Sequence, residues 1–349
     1  MVYFTNSSSV PSLGGPKVDN QVGVAIKSIG CYTHNAANKT VSSHEIHNHM
    51  AKFHEGKAPD LIHIATQEAK GTKAAAIKYA RNNGYKVVPN SYKSQIVITK
   101  IADFFKSIFL GFSRTAQITL VKDNFAEPKV ESHFSHRDLS SPKCINKGGL
   151  GTVQQINGNK FAFISLHLDS NNPDKRRNEL HNLITQAKNK GVDYIVVSGD
   201  FNTRNRLNNG AIEKPLLDQD VFKNQFGFQD VSLPTNIKSS TDTANKFCTY
   251  RPDDADTLDK KQARAKNDEQ GGGFLDGTIV FSIKDNGFVD SNILTDTFVG
   301  DYGRSDHAQV STMLRLNVNN LFDTDDLEKH RLAGGTSTDV TVGKDAILV

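Results

Sequence analysis

An α/β protein with mixed sheets inside and helices outside is what this sequence predicts, on three observations. Strand-like and helix-like signals alternate along most of the chain, two segments carry apolar residues at helical spacing, and neither a repeat nor a compositional break interrupts residues 21–318. The first strand is expected at Val22–Cys31, leading into a polar turn at Thr33-His34-Asn35. Leu61–Ala65 reads as a short strand ending at Gln67-Glu68, and the Ala-rich stretch Thr72–Asn82 as a helix. Strands are expected next at Tyr85–Val88, Ile96–Thr99, Ala116–Val121, Gly149–Ile156 and Lys160–Leu168. Lys175–Lys190 places Leu180, Leu183, Ile184 and Ala187 on one helical face, with Asp174 as its cap. That helix delivers the chain into Tyr194–Ser198, an uninterrupted apolar run that suits a strand covered on both faces. Leu275–Phe281 and Val310–Leu316 supply the closing strands.

Residues 21–318 are thus expected to form one domain, with tails at 1–20 and 319–349 that lack an apolar period. Residues 236–245 and 252–272 read as long surface loops, where specificity is often carried. Hydrophobic content of 37% and charged content of 23% exclude a fibrous or wholly disordered chain. The net charge of +4 is a mild basic bias, suited to anionic substrates without demanding nucleic acid. Three scattered cysteines, Cys31, Cys144 and Cys248, make neither a disulfide framework nor a zinc site, and a reducing compartment is the simpler expectation. No apolar run reaches the roughly 18 residues a membrane helix needs. The opening residues lack the basic start and apolar stretch of a secretory signal, so a cytoplasmic protein is expected, or one exported by another route.

The chemistry-bearing residues recur at strand ends. The apolar run 194–198 ends in Gly199-Asp200-Phe201-Asn202-Thr203-Arg204, and on an extended backbone the alternation puts Asp200, Asn202 and Arg204 on one side. A turn after a strand explains Gly-Asp and Asn equally well for this segment alone. Four more clusters shift that balance: Thr33-His34-Asn35, Gln67-Glu68, His167 within Ser165–Leu168, and Ser305-Asp306-His307; Leu275-Asp276-Gly277 lies between the last two. Gathered into one pocket they would make a hard-cation site ringed by histidines. Glu68, Asn35 and Asp306 offer the oxygen ligands that magnesium takes. Taken singly, His307 is an ordinary surface or core histidine, Glu68 a solvated strand end, His167 a buried strand residue and Lys147-Gly148-Gly149 a hairpin turn.

In order, the Thr-x-Asn turn, Gln-Glu, Ser-x-His-Leu, Gly-Asp-Phe-Asn, Leu-Asp-Gly and Ser-Asp-His resemble the endonuclease/exonuclease/phosphatase superfamily across residues 24 to 315. More narrowly, Asn146-Lys147-Gly148-Gly149-Leu150-Gly151, Phe161–Leu168, Arg176-Arg177-Asn178 and Gly199–Arg204 resemble the inositol polyphosphate 5-phosphatases. The resemblance implies a four-layer sandwich, two packed mixed β-sheets flanked by helices. It also implies a magnesium-dependent phosphatase acting on inositol phosphates or phosphoinositides at the 5-position. Carried over by position, Glu68 is the main Mg2+ ligand, with Asn35 and Asp306 completing the metal and phosphate environment. Asp200 orients and deprotonates the attacking water, and Asn202 holds that water or a phosphoryl oxygen. Asp276 bonds His307 and keeps it cationic, while His167 contacts the phosphate from the other side. Lys147, Arg204 and Arg251 are the candidates for substrate phosphates, although either arginine is also an ordinary exposed residue on the bland reading.

The chain departs from the 5-phosphatases where they carry Pro-Ala-Trp-Cys-Asp-Arg. Here Gln270-Gly-Gly-Gly-Phe-Leu-Asp276 keeps the aspartate and lacks the arginine, for which Arg251, Lys246 or the basic loop Lys260, Lys261, Arg264 and Lys266 could substitute. His34 stands where the superfamily often has tryptophan, of which the chain has none. Residues 101–112 place Phe104, Phe105, Ile108 and Phe109 at helical spacing. They read either as a core helix or as an amphipathic segment making peripheral membrane contact near a phosphoinositide headgroup. The alternative function is a phosphodiesterase of the same superfamily, a nuclease or a sphingomyelinase-like lipase; the mixed charge of the loops weighs against nucleic acid. A non-enzymatic binder is disfavoured because every expected catalytic position is filled. A monomer is expected, and a bacterial effector delivered into a host cell fits as well as a cytosolic enzyme.

Overall fold

The computed structural model describes residues 24–54, 58–96, 114–137, 147–170, 172–203, 226–228, 232–233, 236–239, 249, 275–283, 289–300 and 305–316. One sheet contains β1 (Ser28–Asn35), β2 (Leu61–Ala69), β3 (Tyr85–Val87), β4 (Lys93–Ile96), β5 (Arg114–Lys122), β10 (Asn236–Ser239), β12 (Val289–Val299) and β13 (Val310–Leu316). Its order is β10-β12-β13-β1-β2-β5-β3, with β4 also paired to β5. The second contains β6 (Lys129–His136), β7 (Gly148–Ile156), β8 (Asn159–His167), β9 (Tyr194–Asp200) and β11 (Asp276–Ser282), in the order β11-β9-β8-β7-β6. Both sheets are mixed: β1 runs parallel to β2 and β8 to β9, while β13 and β11 flank them antiparallel.

Period-2 alternation sorts side chains to two faces of each strand, and in the central strands both faces carry apolar residues. Ile29, Cys31 and Leu61 of the first sheet meet Phe161, Phe163, Tyr194, Val196 and Val280 of the second. The outer face of the first sheet, with Tyr32, Ile62, Ile64 and Leu120, is covered by Ile46 and Met50 of α1 (Ser43–His54) and by Ala76 and Tyr79 of α2 (Thr72–Asn82). The outer face of the second, with Ala162, Ile164, Ile195 and Val197, is covered by Leu180, Leu183 and Ile184 of α3 (Pro173–Lys188). Helix, sheet, sheet and helix therefore stack as four layers, as expected. Among the described residues no helix is long and apolar enough to cross a membrane.

Local chemistry fixes the helix starts. Ser42 and Glu45 form a reciprocal capping box at α1: Glu45 N–H donates to Ser42 Oγ (3.1 Å) and Ser42 N–H to Glu45 Oε2 (2.8 Å). At α3 the cap is Asn172, not Asp174; its Oδ1 accepts from the N–H groups of Asp174 and Lys175, and Pro173 takes the first helical position. Three other expectations change. Thr33-His34-Asn35 is the end of β1 rather than a turn, because it pairs in register with Ala65-Thr66-Gln67 of β2. Asn236–Ser239, expected to be loop, pairs parallel with β12. Lys147-Gly148-Gly149 is no hairpin turn: Gly148 and Gly149 open β7 opposite His167 and Leu166. Both tails, 1–20 and 319–349, lie outside the described residues.

Candidate active site

One rim of the sandwich collects the ends of β1, β2, β8 and β9 and the beginnings of β7, β11 and β13. Register does the collecting: Asp200 lies opposite both His167 and Asp276, Gly148 lies opposite His167, and Asn35 lies opposite Gln67, one residue before Glu68. The carboxyl ends of strands in such sheets are the usual location of a site.

Asp200 is the hub. Its Oδ2 accepts from Asn35 Nδ2 at 3.0 Å and lies 3.5 Å from His167 Nε2 and 4.0 Å from His307 Nε2. Its Oδ1 accepts the Asn202 backbone N–H at 2.9 Å. Burial pushes this carboxyl up, but His307, His167, Lys147 and the Asn35 amide outweigh it and hold the carboxyl below the usual range. Asp200 is therefore ionised at neutral pH. The extended alternation expected beyond it does not form. Asn202 is left-handed (φ 51°), its backbone closes a turn onto Asp200, and its Nδ2 donates to the Leu168 carbonyl at 2.8 Å. The turn and the site are one structure here, since the turn places a second amide in the rim.

His307 donates through Nδ1 to Asp276 Oδ2 at 2.8 Å. Burial alone pushes the imidazole down; the adjacent Asp276 carboxylate, with Asp200 and Asp306, overcomes it and raises the pKa to about 10. Burial raises Asp276 in turn to about 6, with His307 pulling it down. At neutral pH the pair is an imidazolium and a carboxylate. Thr249 steadies it: its Oγ1 accepts from the N–H groups of Leu275 and Asp276, and its carbonyl accepts from Ala308 N–H at 2.6 Å. Ser305 ties the same loop to β1 by donating to the Asn35 carbonyl at 2.6 Å. His34 packs behind, held neutral by burial and by the charge of His307, with its pKa near 3.

Across the rim, Lys147 Nζ lies 2.6 Å from His167 Nε2. So short an approach needs a lone pair on one of the two nitrogens, so one of them donates and the other accepts. Burial pulls Lys147 down, and Asp200 and Glu68 pull it back up. Glu68 Oε1 lies 3.9 Å from His167 Nε2. Its backbone is left-handed (φ 47°), at a register shift between β2 and β5 that spans Thr66 to Ala69. Such strain, roughly 1–3 kcal/mol, persists where surroundings over-determine it and is common at working sites.

Burial raises the Glu68 carboxyl; Lys147 and His307 oppose that, while Asp200 and Asp306 add to it. The three carboxylates Glu68, Asp200 and Asp306 near one another, with the Asn35 amide alongside, are a donor set that a hard divalent cation fits and would relieve. Asp200, Asp276 and His307 also bring ligand atoms within 4.8 Å of one another. Since Asp276 and His307 already bond each other through Nδ1, the oxygen set around Glu68 is the better match for such an ion.

The structure thus brings together Asn35, Glu68, Lys147, His167, Asp200, Asn202, Asp276 and His307, with half-buried Asp306 adjoining. Arg204, Arg251, the basic loop 260–266 and the segment 101–112 lie outside the described residues. Sequence reasoning gave no role to Thr249, or to the brace behind Lys147, in which Asp169 N–H donates to Glu179 Oε2 and Arg176 Nη1 donates to the Asp169 carbonyl. The Arg176-Arg177-Asn178 run was the signal for the latter.

Residues 32–226 match the Endonuclease/Exonuclease/phosphatase family 2, more than half of the chain. No curated protein matches in sequence. Among solved structures, the inositol polyphosphate 5-phosphatase domain of SPsynaptojanin, in complex with inositol (1,4)-bisphosphate and calcium ion, is similar at TM-score 0.53 and 14% identity, covering 88% of this chain and 93% of that one. A point mutant of Cimex nitrophorin, as a ferrous NO complex, is similar at TM-score 0.53 and 15% identity, covering 84% and 99%. An endonuclease/exonuclease/phosphatase from Bacteroides vulgatus has TM-score 0.47 and 11% identity, covering 83% and 99%. At such identities the likeness is one of fold, and a nitrophorin beside a phosphatase means the fold alone does not choose an activity.

Proposed function

Because this chain belongs to the Endonuclease/Exonuclease/phosphatase family 2, whose coarse activity is metal-dependent phosphoester hydrolysis, we propose that it is a magnesium-dependent phosphatase of inositol phosphates or phosphoinositides, acting at the 5-position. The observation that carries the reading is the rim itself: an ionised Asp200 between His167 and an imidazolium His307 that Asp276 fixes at 2.8 Å, with Glu68 alongside. The Asn-Lys-Gly-Gly run, with Lys147 placed against His167, supports the phosphatase branch, and the inositol bisphosphate bound by the SPsynaptojanin domain suggests the substrate class to test.

Glu68, Asn35 and Asp306 would hold the magnesium ion, which supplies charge stabilisation at the phosphoryl oxygens. Asp200 accepts a proton from water as the water oxygen bonds to phosphorus; the ester P–O bond breaks and the leaving inositol oxygen takes a proton from solvent, giving inorganic phosphate and the free hydroxyl. Its lowered pKa keeps it ionised, so that it can orient the water, and Asn35 fixes which oxygen is presented. His307 and Lys147 meet the negative charge that spreads over the equatorial oxygens. Because these donors are fixed before substrate arrives, little reorganisation is needed during reaction.

Phosphate release from a panel of inositol phosphates and phosphoinositides, with and without magnesium, tests the reading beside Asp200→Asn and His307→Ala. Magnesium-dependent release lost in both variants is expected. Cleavage of DNA or sphingomyelin alone would transfer the protein to the phosphodiesterases.

A further inference from the structure

Between the edge strands of the two sheets lies a cavity of about 240 Å³, lined by Lys93, Ser94 and Gln95 of β4, Ser135 of β6, Arg137 just beyond it and Leu150 of β7. We propose that it is a second anion subsite, taking a non-reacting phosphate group of a polyphosphorylated substrate. The inference rests on the neighbouring rim being a phosphoester-cleaving site.

Two cations, Lys93 and Arg137, converge there. Arg137 reaches across from the second sheet to the first: with the Gln95 amide oxygen turned toward it, that oxygen accepts from Arg137 Nε and from Nη2 (3.0 Å). The bond fixes the plane of the guanidinium. Burial lowers the Arg137 pKa, so the guanidinium is partly stripped of water. Lys93 is close enough to His133, on the same face of β6, to push the imidazole pKa down along with burial. A guanidinium, an ammonium and the Ser135 hydroxyl suit a tetrahedral anion with several acceptor oxygens. The cavity is too small for a run of nucleotides but admits one phosphate with water.

Continuity with the catalytic rim comes from β7. Gly148 lies opposite His167, and a Cβ there would meet the His136 carbonyl oxygen and, at 3.1 Å, Arg137 Cα. The backbone that carries Arg137 is therefore packed against the residue next to Lys147. Leu150 is two residues further, roughly 7 Å along a strand, a step comparable to the reach from one substituent to another on a phosphorylated six-membered ring. Neither motif nor charge run marked Lys93 or Arg137, since they stand on separate strands in different sheets.

Binding to the turnover-blocked Asp200→Asn protein with magnesium present tests the subsite, using inositol 1-phosphate and inositol 1,4,5-trisphosphate as probes in calorimetry. The trisphosphate is expected to bind at least about tenfold tighter, and Arg137→Gln or Lys93→Gln to remove about tenfold of that advantage each while monophosphate affinity holds. Thermal unfolding confirms that each variant is folded, and Lys93→Gln, at a half-buried edge position, answers if Arg137→Gln is not. Repeating the comparison with phosphoinositide vesicles assigns the phosphate to a soluble substrate or a lipid headgroup. An advantage that is missing, or that survives both substitutions, overturns the subsite. If the native protein hydrolyses no inositol phosphate but the advantage still falls with Arg137→Gln, the subsite stands and the proposed activity fails; hydrolysis with an unaltered advantage is the reverse.

Discussion

The space between the two sheets has two ends made from the same strands, and they differ in almost everything. Along the inward face of β8 the side chains run Phe161, Phe163, Ser165, His167; along β9, Tyr194, Val196, Ser198, Asp200; along β1, Ile29, Cys31, Thr33, Asn35. Large apolar groups give way to small hydroxyls and then to the polar residues of the rim. In the middle, Gln67 donates to Ser165 Oγ at 3.4 Å and pairs with Thr33 at 3.3 Å, while Ser198 and Thr278 share a hydrogen bond at 2.9 Å. The Gln67–Ser165 bond joins the two sheets and the other two tie neighbouring strands within a sheet, so the buried polar groups of this zone are satisfied before the rim, where charge has to be accommodated. Stability is concentrated at one end and chemistry at the other.

That division is open to direct attack. The largest expected effect is at the apolar end: Phe163→Ala should cost about 3–5 kcal/mol in denaturant unfolding, through lost burial and the cavity left beside Phe161 and His63. Turnover per folded molecule should hold; if it collapses along with stability, the two ends are not separable. At the rim, Asp200→Asn or His307→Ala should lower kcat by about a hundred-fold or more, and chelation of the divalent ion should abolish activity reversibly. The unfolding midpoint should also fall modestly in Asp200→Asn, because the folded rim holds this carboxyl below its ordinary range and its charge therefore stabilises the fold at neutral pH.

A subtler change sharpens the comparison through pH. With a folded pKa near 10, above its ordinary value of 6.5, His307 stays protonated at neutral pH. Its stabilising contribution is complete below about 6.5 and fades as pH rises through about 10. Activity that needs the imidazolium should be lost over the same alkaline range. Asp276→Asn removes the main raising charge and leaves burial, so both the His307 NMR titration and the alkaline loss of activity should move down toward or below the ordinary histidine range. An unmoved titration would mean that Asp276 is not what charges the ring. The smallest effect belongs to the middle zone: Gln67→Leu should cost about 1–3 kcal/mol by stranding Thr33 and Ser165, and alter kcat only a few-fold.

The elements that were legible in the sequence are those whose burial writes itself into composition. β9 is apolar from Tyr194 to Val197, and α3 repeats Leu180, Leu183, Ile184 and Ala187. α1 escaped because its sequence, Ser43 to His54, is largely His, Asn and Lys, and only Ile46, His49 and Met50 are buried. β6 escaped because it is an edge strand with mostly open side chains, and β12 because its register against β13 shifts twice. In the site, Asp200, Asp276 and His307 announced themselves through short strand-end patterns. The Lys147–His167 contact, the Thr249 brace and the Arg137–Gln95 bridge depend on which strands become neighbours, and strand order leaves no trace in local spacing.

Glu68 carries one more implication. A side-chain-bearing residue in a left-handed conformation is an arrangement glycine would tolerate more easily. Put under selection for sturdiness alone, this position should drift toward glycine or asparagine, and the protein should grow tougher as it falls silent. A glutamate standing there is therefore a mark of use, written into the backbone.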